Sequence, residues 1–397
     1  MKQYDVIIAG GGPAGSTAAT LLAQYGYQVL LLEQGIHPRF HIGESMMPYI
    51  EPVMQRLGVD WGIGNLRKSG ADFIHEASGR RLFFSLQGKF KTYQIERSVF
   101  DEKLFKHAIE QGVEAHQQEK VTQLDCHAEA VSVQTPLASY QGRYFIDATG
   151  RSALTGRKHQ GIQRLGNLGR FALYQHYQLN ENSAVIELFA SGNVQILLVD
   201  IGWLWVIPLT GQRLSVGLVV QKNSAMTVKG EALFQQYRDA SPLLMQLLEN
   251  AVSLNSVQTE ADFSYINQRR YGQRFACCGD AAGFLDPVFS SGFFFAVKTA
   301  ELIADRLHQG FLEGRENDPG LQQAGDAVYK TGFNTMHLFI DRFYRSHLID
   351  NLIFEFERHE RIKNEIAALL AGDLWDSGNL FQQGLLNGRR SKSLPGL

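Results

Sequence analysis

The chain contains few cysteines and no long hydrophobic run. Its three cysteines are too few for a disulfide framework, and two of them, Cys277 and Cys278, are adjacent, which is poor geometry for a disulfide. This usage is typical of a reducing compartment. No run of about 18 apolar residues is present, so no transmembrane helix is predicted. The first residues, MKQYDVIIAGGG, lack the basic and apolar regions of a secretory signal peptide. We therefore expect a cytoplasmic protein.

An excess of charge of either sign is also absent. The 38 lysines and arginines nearly balance the 40 aspartates and glutamates, which gives a net charge of −2. Because a nucleic-acid-binding surface is basic, no nucleic-acid partner is expected. No cluster of histidines and cysteines has metal-ligand spacing, so no metal site is predicted. The 397 residues, 44% of them hydrophobic, are enough for two connected domains with large cores.

The N-terminal region has the pattern strand, turn, helix, strand. Residues 4–9 are a β-branched apolar run, typical of a strand that is buried on both faces. Residues 16–25 are rich in alanine and leucine and predict a helix, and residues 28–32 predict the next strand. A G-x-G-x-x-G turn occupies residues 10–15, between the first strand and the helix. This order predicts a dinucleotide-binding unit.

Each residue type in this unit has a physical reason. Gly10 permits the tight turn, Gly12 lets the backbone approach a pyrophosphate, and Gly15 allows the helix and strand to pack closely. Free N–H groups at the helix N-terminus favour phosphates. Glu33, which ends the second strand, can accept hydrogen bonds from an adenosine ribose. We predict that Gly10, Gly12, Ala14, Gly15 and Glu33 bind the dinucleotide, but the motif alone does not distinguish FAD from NAD.

Two later stretches favour FAD. Residues 144–154, YFIDATGRSAL, predict a strand that ends in a Thr-Gly turn, and residues 274–307 predict a strand, a Gly-Asp turn and a helix. Asp280 in the second turn is placed to bind a hydroxyl group of a flavin ribityl chain. The helix that begins near Ser291 and Gly292 would direct its N-terminal dipole at the pyrimidine side of the flavin. The alternative is a third βα unit with ordinary turn chemistry.

Several of these stretches together resemble the FAD-dependent aromatic monooxygenase superfamily. They are GGGPAG at 10–15, IERSVFD at 95–101, IDATGRS at 146–152 and GDAAGFLDPVFSSG at 279–292. Two others, HPRFHIGESMMP at 37–48 and GWLWVIP at 202–208, resemble the flavin-dependent halogenases of the tryptophan halogenase-like family. The similarity is greatest to the phenol and pyrrole halogenases and their non-halogenating relatives. It extends from residue 1 to about residue 310.

The resemblance implies both residue roles and a cofactor. Arg39, Ser45, Arg97 and Gly292 would contact FAD, and Gly292 would also help to form a halide pocket beside Ser291 in the catalytic site. Reduced flavin would react with O2 to give a C4a-hydroperoxide, which the protein shields from water. A halogenase then oxidises a halide and keeps the substrate away from the flavin, whereas a monooxygenase places an aromatic substrate beside the peroxide.

Lys68 is the predicted catalytic lysine. The stretch KSGADF, residues 68–73, matches a K-x-G-A-x-F context of phenol- and pyrrole-type halogenases, in which a lysine holds hypohalous acid or forms a chloramine. A buried lysine suits this role because burial lowers its pKa. In the alternative interpretation, Arg67 and Lys68 are a solvated basic pair at a helix end.

Trp203, Trp205 and Ile207 are predicted to form a substrate barrier. They are spaced by two within GWLWVIP, so a strand would place all three on one face. In halogenases this motif has been interpreted as a barrier that keeps substrate away from the flavin. The alternative is a bulky face that packs a sheet against the FAD-binding domain.

The predicted fold class is α/β. A discontinuous, Rossmann-like FAD-binding domain comprises residues 1–75, 95–165 and 265–310. Short apolar and alternating runs in residues 76–94 and 166–264 predict an inserted, mostly antiparallel substrate-domain sheet with helices. Residues 311–397 are predicted to form C-terminal helices.

The predicted function is that of an FAD-dependent, O2-activating oxidoreductase that halogenates an aromatic or carrier-bound aromatic substrate. Since there is one dinucleotide fingerprint, NAD(P)H would reduce the FAD either directly during a transient visit or through a partner flavin reductase. Phe289 occupies the position of a glutamate in tryptophan halogenases, which disfavours free tryptophan. One alternative is a monooxygenase that hydroxylates a small molecule or a protein side chain, as in quinone-cofactor maturation. Others are a geranylgeranyl-reductase-like flavoprotein and a flavin-binding accessory protein.

Overall fold

The computed structural model describes residues 3–165, 170–221, 228–261, 263–345 and 360–387. The helices are α1 Pro13–Gln24, α2 Glu51–Leu57, α3 Arg97–Glu110, α4 Leu154–Lys158, α5 Ser183–Ser191, α6 Glu231–Ala240, α7 Pro242–Leu247, α8 Ser291–Leu312, α9 Gln323–Arg345, α10 Glu360–Ala371 and α11 Leu380–Asn387. The strands are β1 Gln3–Ala9, β2 Val29–Leu32, β3 Leu66–Arg67, β4 Gly70–His75, β5 Arg80–Ser85, β6 Tyr93–Gln94, β7 Glu114–His116, β8 Gln123–Cys126, β9 Val131–Gln134, β10 Ser139–Asp147, β11 Ile162–Arg164, β12 Arg170–Gln178, β13 Val194–Val199, β14 Gly202–Leu209, β15 Arg213–Gln221, β16 Val252–Ser253, β17 Gln258–Ala261, β18 Tyr265–Asn267, β19 Tyr271–Gly272, β20 Phe275–Cys277 and β21 Gly283–Phe284.

The first sheet contains the predicted dinucleotide unit. Its strands lie in the order β19-β20-β10-β1-β2-β7, and β9 pairs with both β8 and β10. Strand β1 is parallel to β2 and to β10, so that Ile7 lies opposite Leu30 on one side and Phe145 on the other. Helix α1 returns the chain from β1 to β2, as a parallel pair requires. The α/β class and the Rossmann-like unit are therefore confirmed.

The second sheet is mostly antiparallel, as predicted. Its strands lie in the order β16-β12-β15-β14-β13-β4-β5, and β17 also pairs with β12. Every one of these pairings is antiparallel except that of β4 with β13.

The two faces of β14 belong to two separate hydrophobic cores. Trp203, Trp205 and Ile207 face the core that is shared with the first sheet, whereas Leu204 and Val206 face a second core. This alternation follows the two-residue period of a strand. Side chains of α5, α6 and α7 complete the second core. The face of the second sheet that carries Trp203, Trp205 and Ile207 can therefore contribute to a site at the first sheet.

Strand β4 lies in the second sheet, although the prediction placed residues up to 75 in the FAD-binding domain. Phe73 is opposite Ile196 of β13 in a parallel pair and opposite Leu82 of β5 in an antiparallel pair. A parallel pairing between distant segments has no local sequence signal, so the sequence did not indicate that residues 70–75 pair with β13. The division of the chain into domains as a whole stays a prediction.

The described C-terminal residues include three helices, α9, α10 and α11, as predicted. Three aromatic residues of α9, Phe333, Phe339 and Phe343, are buried, and the Phe339 ring stacks on Phe289 with centroids 4.1 Å apart. Residues 346–359 and 388–397 of the predicted helical segment lie outside the described residues. Within the part of the chain that the structure describes, no helix has the length and apolar character needed to cross a membrane.

Gly217 of β15 provides the space that the Trp205 indole occupies. A β-carbon at Gly217 would lie 2.2 Å from Cζ2 of Trp205. We expect Gly217→Ala to lower the free energy of unfolding by about 1–3 kcal/mol, because the added methyl group overpacks this contact. Urea unfolding measures the change. Gly88→Ala is the control, since no heavy atom lies within 4 Å of its added carbon. Wild-type stability of Gly217→Ala would contradict the contact.

Candidate functional site

A cavity of about 710 Å³ lies between the carboxyl ends of the first sheet and the inner face of the second. Its volume is in the usual range for ligand pockets. Most residues that the sequence predicted for the site line it: Gly10, Gly12, Ala14, Glu33, Arg39, Ser45, Arg97, Trp203, Trp205, Ile207, Asp280 and Gly292. Three other predicted residues are not among the lining residues: Gly15, Lys68 and Ser291. The structure thus brings the motifs of distant segments to one cavity.

Of the three motif glycines, only Gly12 has an open side-chain position, although Gly10 also lines the cavity. A β-carbon at Gly10 would lie 2.2 Å from the carbonyl oxygen of Ala148, and one at Gly15 would lie 1.8 Å from that of Gly10. Gly10 also has a φ of +105°, which favours glycine. A β-carbon at Gly12 would meet only Arg39 Nη2, at 3.5 Å. Packing therefore requires Gly10 and Gly15, whereas Gly12 leaves room for a ligand.

Helix α1 directs its N-terminus into the same cavity. Pro13 and Ala14 in its first turn both line the cavity. Ala14 also lies against the second glycine turn, because a β-carbon at Gly279 would come within 3.0 Å of the Ala14 methyl group. The free N–H groups of this helix end favour a phosphate.

Glu33 fixes the glycine turn and faces the cavity. Its carboxylate accepts hydrogen bonds from the N–H groups of Gly11 and Gly35, each at 2.7 Å, and from Arg39 Nη2 at 3.2 Å. Burial raises the pKa of Glu33, but the Arg39 charge and the two N–H donors outweigh burial and hold the pKa below its usual value. Glu33 is therefore ionised and can accept hydrogen bonds from ligand hydroxyl groups.

Arg39 has a donor that the protein does not use. Its Nε is buried and has no hydrogen-bond partner among the described residues. A buried unpaired donor costs about 1–3 kcal/mol. The guanidinium atom that borders the space at Gly12 is Nη2, so the positive charge of Arg39 would favour a pyrophosphate there.

Arg97 supports the cavity wall with most of its donors. Its Nε and Nη2 each donate to the Asp101 carboxylate at 2.8 Å, and its Nη1 donates to the carbonyl oxygens of Ile42 at 3.1 Å and Gly43 at 3.2 Å. The Arg97 and Asp101 side chains are only 6% and 0% exposed. Arg97 therefore holds the turn at residues 42–45 in place, and its predicted FAD contact stays a prediction.

Asp280 and the start of α8 form another part of the wall. Burial raises the pKa of Asp280 to about 6, although the charges of Arg97 and Arg151 lower it. Gly292 lines the cavity, and a β-carbon there would lie 2.9 Å from Cε2 of Phe284. Ser291 is 3% exposed. The predicted catalytic roles of Ser291 and Gly292 stay predictions.

These residues fit a flavin dinucleotide. The open side of Gly12, the charged Arg39 guanidinium beside it and the N-terminus of α1 suit a pyrophosphate. The Glu33 carboxylate suits the ribose, and the Asp280 carboxylate suits a ribityl hydroxyl group. Among the described residues, no group of three or more histidine, cysteine, aspartate or glutamate side chains could hold a metal ion.

Lys68 is buried directly behind the cavity. It is 5% exposed, and its Nζ donates hydrogen bonds to Ser45 Oγ at 2.9 Å and to the Met46 carbonyl oxygen at 3.0 Å. Burial lowers the pKa of Lys68 to about 7. The solvated-pair interpretation is wrong for Lys68, although Arg67 is exposed.

Ser45 and Glu44 make contacts that sequence reasoning missed. Ser45 was predicted to bind the cofactor, and it does line the cavity, but its hydroxyl group also accepts the hydrogen bond from Lys68. The buried Glu44 carboxylate lies 3.0 Å from His176 Nε2 of β12. No local pattern links His176 to this turn, because the two residues are 132 positions apart. The turn therefore joins the cavity to both Lys68 and the second sheet.

The predicted barrier residues form the cavity wall that the second sheet contributes. Trp203, Trp205 and Ile207 all line the cavity, and the two indole rings lie 6.1 Å apart. The Trp205 indole N–H donates to Ser215 Oγ at 3.1 Å, and the Trp203 indole N–H donates to Tyr344 Oη at 2.8 Å. Sequence reasoning missed Tyr344. The barrier role itself stays a prediction.

Comparison with known proteins agrees with this site. The chain matches the tryptophan halogenase family over residues 5–76 and 84–383. It is 29% identical over 365 residues to a tryptophan 2-halogenase of Chondromyces crocatus, covering 86% of this chain and 68% of that protein. It is 31% identical over 330 residues to a 1H-pyrrole-2-carbonyl-[peptidyl-carrier protein] brominase of Pseudoalteromonas luteoviolacea, covering 79% of each.

The fold is similarly shared. The solved structure of the flavin-dependent brominase Bmp2 superposes with a TM-score of 0.83 at 26% identity and covers 97% of this chain and 98% of that one. The halogenase prediction is thereby supported over the monooxygenase alternative. The chain belongs to the tryptophan halogenase family, and it is an FAD-dependent oxidoreductase of the flavin-dependent halogenase type.

Proposed function

We propose that the protein halogenates an uncharged aromatic ring, free or bound to a carrier, and that Lys68 presents the oxidised halide to it. The observation that carries this proposal is the position of the Lys68 amino group. It is buried, and it donates hydrogen bonds to Ser45 Oγ in the cavity wall and to the Met46 carbonyl oxygen, neither of which is a carboxylate. Reduced FAD, when bound in the cavity, would be the group that reacts with O2.

The amino group of Lys68 has the properties that this role requires. With a pKa of about 7, a substantial fraction of the amine is neutral near neutral pH. The neutral form can act as a nucleophile towards hypohalous acid, and the protonated form can donate a hydrogen bond to it. Ser45 and Met46 hold the nitrogen atom in one place for either form.

The wall that contains Trp203, Trp205 and Ile207 favours halogenation over hydroxylation. These three side chains fill the inner face of the second sheet on the cavity side. A hydroxylase would need its substrate ring inside the cavity, beside the flavin. In a halogenase the substrate ring stays outside the cavity, because only the small oxidant passes from the cavity to the substrate.

An uncharged aromatic substrate fits the residues better than free tryptophan. Phe289, which occupies the glutamate position of the tryptophan halogenases, stacks on Phe339 with centroids 4.1 Å apart and meets Phe343 edge-on at 5.5 Å. These apolar rings provide no partner for a charged or strongly polar group. The relative from Pseudoalteromonas luteoviolacea, whose name specifies a carrier-bound pyrrole, supports the carrier-bound alternative.

Lys68→Met tests whether the amino group is buried as the structure has it. The pKa is 10.5 for a solvated lysine and about 7 for Lys68 in the folded protein. Between these values the unfolded chain binds a proton that the folded protein does not, so stability rises with pH across this window. We expect the free energy of unfolding of the wild type to rise relative to Lys68→Met between about pH 7 and 10.5. Denaturant titrations at several pH values measure the difference, and a constant difference would show that the amine is solvated.

Lys68→Met is also expected to lower the rate of halogenation by roughly 100-fold or more, the lower bound for the loss of a proton-transferring side chain. FAD should still bind, since Lys68 is not among the residues that line the cavity. The assay supplies reduced FAD and bromide or chloride, with a phenol or a pyrrole-2-carbonyl group loaded on a peptidyl carrier protein. Mass spectrometry then identifies the product.

The matched control for this assay is Lys106→Met, whose side chain is 63% exposed and pairs with Glu102. It should halogenate like the wild type. Undiminished halogenation by Lys68→Met would remove Lys68 from the mechanism. A hydroxylated product without halogen from the wild type would favour a monooxygenase instead.

A separate flavin reductase is proposed to supply the reduced cofactor. The sequence contains one G-x-G-x-x-G fingerprint, and the structure uses it in the cavity described above. We expect the FAD-loaded protein to keep its oxidised flavin absorbance when NADH or NADPH is added without oxygen, and to lose it when a flavin reductase and free FAD are added as well. Rapid bleaching by NADH or NADPH alone would show that the chain accepts hydride directly.

A further inference from the structure

A chain of hydrogen bonds joins the cavity wall to the C-terminal helix α9. Trp203 Nε1 donates to Tyr344 Oη at 2.8 Å, and Tyr344 Oη donates to Asp286 Oδ1 at 3.0 Å. Arg170 Nη1 of β12 donates to Asp286 Oδ2 at 3.1 Å. Four segments of the chain therefore meet at this point: β12, β14, the turn before α8, and α9.

Chemistry fixes the direction of these bonds. The Trp203 indole N–H can only donate, and an ionised Asp286 carboxylate can only accept. The Tyr344 hydroxyl group does both, so it is the link that satisfies the indole and the carboxylate at once. Each bond in such a chain also polarises the next and strengthens it.

Burial limits the access of water to these bonds. The side chains of Arg170 and Asp286 are 4% and 0% exposed and Trp203 is 2% exposed, whereas Tyr344 is partly buried. The Arg170 guanidinium carbon lies 3.3 Å from the centroid of the Tyr344 ring, which holds the ring from a second side. Because an unpaired polar group is costly in such surroundings, one arrangement of all four side chains is favoured.

Both ends of this chain of hydrogen bonds are connected to residues that line the cavity. Trp203 lines the cavity directly. Asp286 Oδ1 accepts a hydrogen bond from the Val288 N–H at 3.0 Å, and Pro287 and Val288 line the cavity as well. Tyr344 is not among the lining residues. It therefore lies outside the cofactor space, but it holds two parts of the wall together.

We propose that Tyr344 is a positioning residue whose hydroxyl group fixes the Trp203 indole in the wall of the flavin cavity. The functional part of this inference rests on the function proposed above. With the indole fixed, the wall stays closed to water while the oxidant is made in the cavity. With the indole released, the wall is breached, and two electrons from the reduced flavin pass with two protons to O2 and leave as hydrogen peroxide.

The first test is spectroscopic and needs no cofactor. Tyr344→Phe removes the hydroxyl group and keeps the ring. In the ¹⁵N-labelled full-length protein, the four tryptophans give four indole N–H signals, and Trp203→Phe identifies that of Trp203. We expect Tyr344→Phe to shift this signal upfield and to speed its exchange with water, because the N–H loses its acceptor. An unmoved signal would overturn the proposal.

The second test measures coupling, the amount of product formed per reduced FAD supplied, with bromide and the two substrate probes above. We expect Tyr344→Phe to lower coupling roughly fivefold, the order expected for one lost hydrogen bond. Hydrogen peroxide should rise by the matching amount, and the FAD dissociation constant should be unchanged. The control is Tyr329→Phe on the same helix, whose buried hydroxyl group has no hydrogen-bond partner among the described residues. It should retain wild-type coupling.

A double-mutant cycle separates positioning from a general loss of packing. In the Trp203→Phe background the hydroxyl group of Tyr344 has no indole to hold, so Tyr344→Phe should not lower coupling further. An equal loss in both backgrounds would overturn the proposal. A wild type that hydroxylates the probes would contradict only the proposed halogenation, since coupling counts either product.

Discussion

The close approach of the backbone at Gly10 and Gly15 is the constraint on which the rest of the structure depends. With no side chain at either position, the turn after β1 lies against Ala148 at the end of β10, and α1 starts within contact of β1. This places the N-terminus of α1, the Glu33 carboxylate and the Asp280 turn around one cavity. A side chain at either glycine would separate these groups, and no other part of the cavity could then compensate.

The turn at residues 42–45 connects this flavin-binding region to Lys68 and to the second sheet. Arg97 of α3 holds it on one side, and His176 of the second sheet meets Glu44 on the other. Ser45 in the same turn receives the hydrogen bond from Lys68. The amino group of Lys68 therefore has a fixed place relative to the cavity because both depend on one short segment. The ion pair between Arg213 and Glu96 joins the second sheet to the start of α3, next to Arg97.

Much of the fold and of the cofactor site could be predicted from the sequence because the signals are local. The glycine turn, the acid at Glu33 and the alternation around Trp205 each lie within a few residues of the structure that they specify. Interactions between distant segments have no such signal. The partners Trp203 and Tyr344 are 141 positions apart, and β4 pairs with a strand that the chain reaches much later. The sequence placed Lys68 in a motif, but it did not show that the amino group contacts the cavity wall, because that contact is made with Ser45 and Met46, more than 20 positions away.

The two faces of strand β14 can be altered independently. Trp203, Trp205 and Ile207 line the cavity, whereas Leu204 and Val206 belong to an outer core that α5, α6 and α7 close on the far side of the sheet. Substitutions at neighbouring positions should therefore have separable effects: one set alters the cavity surface, and the other alters the packing of the outer core. The outer core can be repacked to stabilise the sheet without changing a side chain that lines the cavity.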